Sequence, residues 1–151
     1  MNKTLFIQLF VIVSIVGAYF LIDFNTLYKS FEKEVTYTVQ DNSCDLHESA
    51  CSINLDDKEF NLEVFPKDIP LMKNLKFVIK TNDKTFDEKT INIYATNMFM
   101  GYFNLKFNKV SDGIYEALGT LPTCPVGNMK WNADIALEDS KGARFQFETT
   151  R

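Results

Sequence analysis

The sequence predicts an all-β body, an immunoglobulin-like antiparallel β-sandwich, preceded by a single N-terminal transmembrane helix. Three observations predict it. An uncharged run from Leu5 to Ile22 follows a short basic lead. From Val35 onward, apolar residues recur at every second position, the repeat of a half-buried strand, and no helical repeat occurs beyond Phe31. Turn residues interrupt that repeat at short intervals, which suits two packed sheets better than a parallel α/β fold, with a small barrel as the second choice.

The N-terminal run admits two readings, a cleaved signal peptide or a retained anchor. A signal-peptide core spans about 7–15 residues and ends at an Ala-x-Ala-like site. Here Gly17-Ala18 is followed by Tyr19-Phe20-Leu21-Ile22, without that pattern. Eighteen residues at about 1.5 Å each approach the thickness of a bilayer core, which favours the anchor. Lys3 and the free amino group favour a cytoplasmic N-terminus. The expected arrangement is a cytoplasmic lead (1–4), an anchor (5–22), a connector (23–34) and a periplasmic sandwich (35–151), single-pass in the inner (cytoplasmic) membrane. Phe24, Leu27 and Phe31 sit near helical spacing, so the anchor helix is expected to continue a turn or two into the connector.

Nine strands are expected beyond it. Val35–Val39 is β-branched and aromatic. Ser52–Leu55 and Phe60–Phe65 flank Asp56-Asp57-Lys58, a hairpin signature. Pro66 and Pro70 then end the ladder, because proline has no amide to donate. Leu75, Phe77 and Ile79 share one face of the next strand, and a polar turn follows at Asn82-Asp83-Lys84. Ile91, Ile93 and Ala95 alternate, as do Phe103, Leu105 and Phe107. Asp112-Gly113 turns the chain into Ile114–Leu121. The clearest alternation is Met129, Trp131, Ala133, Ile135 and Leu137, with Lys130, Asn132, Asp134 and Ala136 facing away. Phe145 and Phe147 face inward from a last strand.

Composition narrows the function. Net charge is −4 and lysines and arginines form no run, so nothing supports phosphate neutralisation and no nucleic-acid partner is expected. His47 is the sole histidine, and no nucleophile elbow, His-Glu-x-x-His or phosphate-cradling glycine loop occurs. No enzyme is expected, and His47 reads first as a loop residue.

Sulfur is the chemistry left. Cys44 and Cys51 have six residues between them in a polar loop, a spacing that suits a local disulfide in an oxidising compartment. Cys124 is then odd, open to a free thiol, a ligand role or intermolecular pairing. It lies in Leu121–Trp131, a stretch that also holds Met129; a second stretch, Asn97-Met98-Phe99-Met100-Gly101, holds two more thioethers. Cu(I) is soft and prefers thioether, thiolate and imidazole. Met98, Met100, Cys124 and Met129 are therefore a candidate Cu(I) set, provided the two stretches meet. The competing reading is packing, since methionine fills core gaps beside aromatics and Met129 shares a face with Trp131.

The same two segments carry a resemblance. Asn97-Met98-Phe99-Met100-Gly101, with Leu121-Pro122 and Gly127-Asn128-Met129-Lys130-Trp131, resembles small membrane-anchored bacterial periplasmic proteins with an Asn-Met-x-Met-Gly segment. More distantly the chain is similar to FixH and YtkA-like domains, over roughly residues 75–149. The resemblance implies copper handling or assembly of a copper-containing respiratory enzyme, with a membrane-protein or respiratory-complex partner. This sequence lacks the histidine-rich pattern of periplasmic Cu(II) sites, and the resemblance does not cover the Cys44–Cys51 loop. The alternative expectation is a structural or interaction module of a membrane complex without metal. A lesser one is a thiol-dependent factor using Cys124.

Overall fold

The computed structural model describes residues 3–21, 35–123, 125, 127–137 and 140–150. The chain divides into two units, Met1–Glu34 and Val35–Arg151. In the first, α1 covers Lys3–Leu21, 19 residues. Among the described residues no helix is long and apolar enough to cross a membrane. The expected anchor runs one residue past α1, and Ile22 with the connector 23–34 lies outside the described residues.

The second unit is built of strands in two five-stranded sheets. They are β1 (Thr36–Val39), β2 (Cys51–Leu55), β3 (Lys58–Phe65), β4 (Asn74–Thr81), β5 (Thr90–Ala95), β6 (Phe103–Lys106), β7 (Asn108–Ser111), β8 (Ile114–Thr120), β9 (Asn128–Ala136) and β10 (Lys141–Thr150). Sheet A runs β1-β10-β9-β5-β6 and sheet B runs β2-β3-β4-β8-β7. Every pairing is antiparallel except β1 with β10. This is the expected β-sandwich, with one strand more than the nine expected.

The extra strand is β7. The sequence places Phe103, Leu105 and Phe107 on one run, but the chain leaves sheet A at Phe107. There the Phe107 amide donates to Lys89 O and the ring enters the core, 2% exposed. The next four residues join sheet B with every side chain exposed. An edge strand with no buried face carries no apolar alternation, so its sequence gives no signal.

The core lies between the sheets. Trp131, Phe145 and Phe147 from sheet A meet Phe60, Phe77 and Ile79 from sheet B, all buried. Trp131 stacks on Phe147 (6.4 Å) and its indole N–H donates to Thr149 Oγ1 at 2.9 Å, so its one polar atom is satisfied inside. The expected polar turn after β4 contributes as well. Phe86 is fully buried and touches Phe60, Phe107 and Tyr115 at 4.8–6.0 Å between ring centres. Asp83 holds that loop closed, accepting from the Thr85 amide and hydroxyl and pairing with Lys58 at 3.0 Å.

Two expected local features are present. Cys44 and Cys51 are disulfide-bonded. Gly113 turns β7 into β8 at φ 70°, and a β-carbon there would stand 2.6 Å from Thr81 O. Only glycine suits that position, because Thr81 N also donates to Gly113 O across the same gap.

Two predictions follow from this frame. Burial alone would raise the Asp83 pKa, but the Thr85 and Lys58 hydrogen bonds outweigh it and hold the carboxyl below its ordinary value. A lowered folded pKa stabilises above the unfolded value and is lost as pH falls. Urea titrations of wild type and Asp83→Asn should therefore differ at neutral pH and converge below about pH 4. Replacing both Cys44 and Cys51 by serine should lower stability by about 2–3 kcal/mol in the same assay.

Candidate functional site

One end of sheet A brings the Asn97–Gly101 stretch against the start of β9, which holds Met129. β5 continues past Ala95, where the Thr96 amide donates to Lys130 O at 2.8 Å. Asn97 then replaces a backbone partner. Its Nδ2 donates to Asn128 O at 2.8 Å and its Oδ1 accepts from the Lys130 amide at 3.1 Å. The amide side chain so bridges the residues on either side of Met129, and the 97–101 stretch lies against the start of β9. Gly101, at φ 86°, brings the chain back toward β6.

The sulfurs do not share one environment. Met129 is 1% exposed and belongs to the core beside Trp131. Met100 is half-buried and packs against that core. Met98 is 40% exposed. Cys124 lies outside the described residues. Among the described residues no group of three or more His, Cys, Asp or Glu side chains could hold a metal ion. A soft ion at this end would have Met98 and Met100 as its described donors, and two thioethers make an incomplete Cu(I) set. Met129 is accounted for by packing.

The aromatic neighbours of those methionines face outward. Phe99 is 76% exposed and Tyr102 59% exposed. Phe99 meets Tyr102 edge-on at 5.8 Å, and Tyr102 meets Tyr94 at 5.4 Å. The three rings form a ladder from the loop tip to the outer face of β5.

That outer face is where the structure departs most from the sequence reading. Asn132 and Asp134 were expected on the solvated side of β9, yet they are 7% and 4% exposed. The β9–β10 register sets Asp134 opposite Arg144 and Asn132 opposite Gln146. Arg144 grips Asp134 through two hydrogen bonds of 2.7 Å and stacks over the Tyr37 ring at 4.6 Å. Tyr94 OH donates to Asp134 Oδ2, Asn132 Nδ2 donates to Tyr94 OH, and Gln146 Nε2 donates to Asn132 Oδ1. Gln146, Asn132 and Tyr94 donate in turn toward Asp134, and Arg144 donates to it from the other side, so five side chains on β5, β9 and β10 form one network that converges on Asp134. Burial, then the nearby Asp134 charge, raise the Tyr37 pKa; Tyr94 is also raised by burial first, against the Asn132 bond that lowers it. The Asp134 bond raises that of Arg144.

Beside this network a cleft of about 520 Å³ opens over sheet A. Its floor includes Thr96, Lys130, Asn132, Gln146 and Glu148; its wall is the β1–β2 loop, with Asn42, Ser43 and Asp45. Three anchors fix the wall. Gln40 exchanges hydrogen bonds with the Gln146 backbone, donating to its carbonyl and accepting from its amide. Leu46 is fully buried and Cys51 is tied to Cys44. His47 stands with Nδ1 at 2.9 Å from Lys67 O and Nε2 at 2.7 Å from Glu148 O. Both partners are backbone carbonyl oxygens, so the ring lies between the segment just after β3 and β10, and a nitrogen that carries hydrogen donates to the carbonyl it faces. Sequence reasoning missed the cleft because its polar lining looks like ordinary surface.

Comparison with protein-family models, curated proteins and solved structures gives no match for this chain.

The Asn97 bridge is testable. Asn97→Ala should cost about 1–2 kcal/mol in stability. Hydrogen exchange should speed up at the Lys130 amide, whose partner is lost, and stay unchanged at the Thr81 amide in sheet B.

Proposed function

We propose that the protein is a membrane-anchored, extracytoplasmic interaction module whose contact surface is the β5–β6 loop. The observation that carries this reading is the outward presentation of Phe99 and Tyr102 on an ordered ladder of rings, in the same loop as exposed Met98. Aromatic and thioether side chains held rigidly in water are the usual anchors of protein interfaces, because burying them releases apolar surface at little entropic cost. The anchor rests on the uncharged run Leu5–Ile22 and on α1, whose Ile7, Leu9, Phe10, Val11, Ile12 and Val13 are 48–69% exposed. Such a helix gains free energy by entering lipid. The disulfide supports an oxidising compartment. The edge pairing of first strand with last and the crossing from β6 to β7 support an immunoglobulin-like subclass of sandwich.

A second reading, Cu(I) handling in the assembly of a copper-containing respiratory enzyme, is favoured by one observation. Asn97 holds the Met98–Met100 loop against the start of β9, the strand that follows Cys124. Solvent-reachable Met98, half-buried Met100 and Cys124 would form the donor set, in keeping with the FixH-like resemblance.

Two measurements separate these readings. A photo-crosslinking residue at Phe99 should form a discrete adduct in membranes, suppressed by excess wild-type chain, whereas one at exposed Val110 on β7 should not. A Cu(I) titration of the full chain against a chelator should show no binding under the first reading. One-to-one binding lost in Met98→Ala and Met100→Ala would establish the second instead.

A further inference from the structure

We infer that the cleft over sheet A binds a neutral saccharide. Its volume of about 520 Å³ falls within the range of roughly 300–1,000 Å³ typical of small-ligand sites, but its lining does not resemble that of an apolar ligand's pocket. Residues with amide, hydroxyl, imidazole or charged side chains outnumber Cys44, Trp131 and Phe147 in its lining. Such a mixed lining suits a ligand that is itself polar at its edges and apolar on its faces, with hydrogen bonds setting the match.

Charge narrows the class further. On the floor, Lys130 Nζ lies 3.4 Å from Glu148 Oε1, and each offsets the other. Asn128 and Lys130 both lower the Glu148 pKa, so the carboxylate is the form present at neutral pH. The wall adds Asp45, an anion, whose Oδ1 already accepts from the His47 amide. A phosphate or carboxylate ligand would find no surplus cation here, and a cation would find a single acidic side chain without a partner cluster.

The remaining hydrogen-bonding capacity alternates in kind. Asn132 keeps one amide proton beyond that given to Tyr94, Gln146 keeps its carbonyl oxygen, Lys130 keeps ammonium protons, and Asn42 offers both a donor and an acceptor. A sugar hydroxyl donates once and accepts twice, so adjacent hydroxyls suit neighbouring donors and acceptors of this sort. The floor is ordered before any ligand arrives. Asn132 is held between Tyr94 and Gln146, and Gln40, His47 and the disulfide fix the wall. Little conformational entropy is left to lose on binding, which lets weak polar contacts add up to a measurable affinity.

The test uses the full chain in phospholipid nanodiscs, free of glycoside detergent, followed by NMR of the side-chain amides. The probes are N,N′-diacetylchitobiose, cellobiose and inorganic phosphate. At least one disaccharide should give saturable shifts at the Asn42, Asn132 and Gln146 amides. Its affinity should fall about tenfold in Glu148→Gln, and measurably in Asn42→Ala. Both positions are exposed, so both variants should fold. No saturation with either disaccharide, equal affinity in both variants, or tighter binding of phosphate would overturn the inference. The variants lie outside Met98–Tyr102, so neither outcome bears on the interaction surface proposed for that loop.

Discussion

The outer face of sheet A depends on the pairing of Asp134 with Arg144. A carboxylate 4% exposed is costly to bury unless its charge is met and its lone pairs are filled. Arg144 meets it with two parallel bonds of 2.7 Å, and Tyr94 fills a further acceptor site. The cost of burial becomes a constraint on geometry, because few arrangements satisfy such a group. Tyr37 on β1 covers Arg144 from one side, and Tyr94 on β5 approaches from the other. Four strands of sheet A are thereby fixed on a face that has no hydrophobic core of its own.

From that pair the order spreads in two directions. Through Asn132 and Gln146 it reaches the floor of the polar cleft. Through Tyr94 and Tyr102 it reaches Phe99 at the tip of the β5–β6 loop. The two candidate working surfaces, one polar and one aromatic, share the same polar scaffold. The β1–β2 loop joins it by separate means: Gln40 bonds to β10, His47 lies against backbone carbonyls of β10 and of the segment after β3, and Leu46 enters the core. A loop with so many tertiary anchors behaves as a wall, although its sequence, Asp41 to Ala50, reads as mobile polar surface.

The described methionines are placed by the elements that carry them. Met98 and Met100 stand two residues apart, as alternating side chains on one face would, yet they occupy a loop with a left-handed glycine and differ in exposure. Met129 keeps strict strand alternation, and that alternation is what takes it into the core. The juxtaposition of the two stretches was not written in either of them. It arises because β5 and β9 are neighbours in sheet A, and because Asn97 can stand in for a strand partner at the ladder's end.

The sequence by itself determined the sandwich, most of its strands, the disulfide and the core face of β9. All four follow from local rules: period-two burial, turn chemistry and short-loop cysteine spacing act between near neighbours. Tertiary structure alone decided which polar residues are surface and which are structural. Lys130, Asn132 and Asp134 alternate identically along β9, and what separates them is whether Arg144, Gln146 and Tyr94 arrive from other strands to pair with them. Strand order sets that meeting, and a residue's own neighbours in the chain cannot specify it. For the same reason β7, with no buried face, and Phe86, alone in a polar stretch, became legible only once the sheets had closed around them.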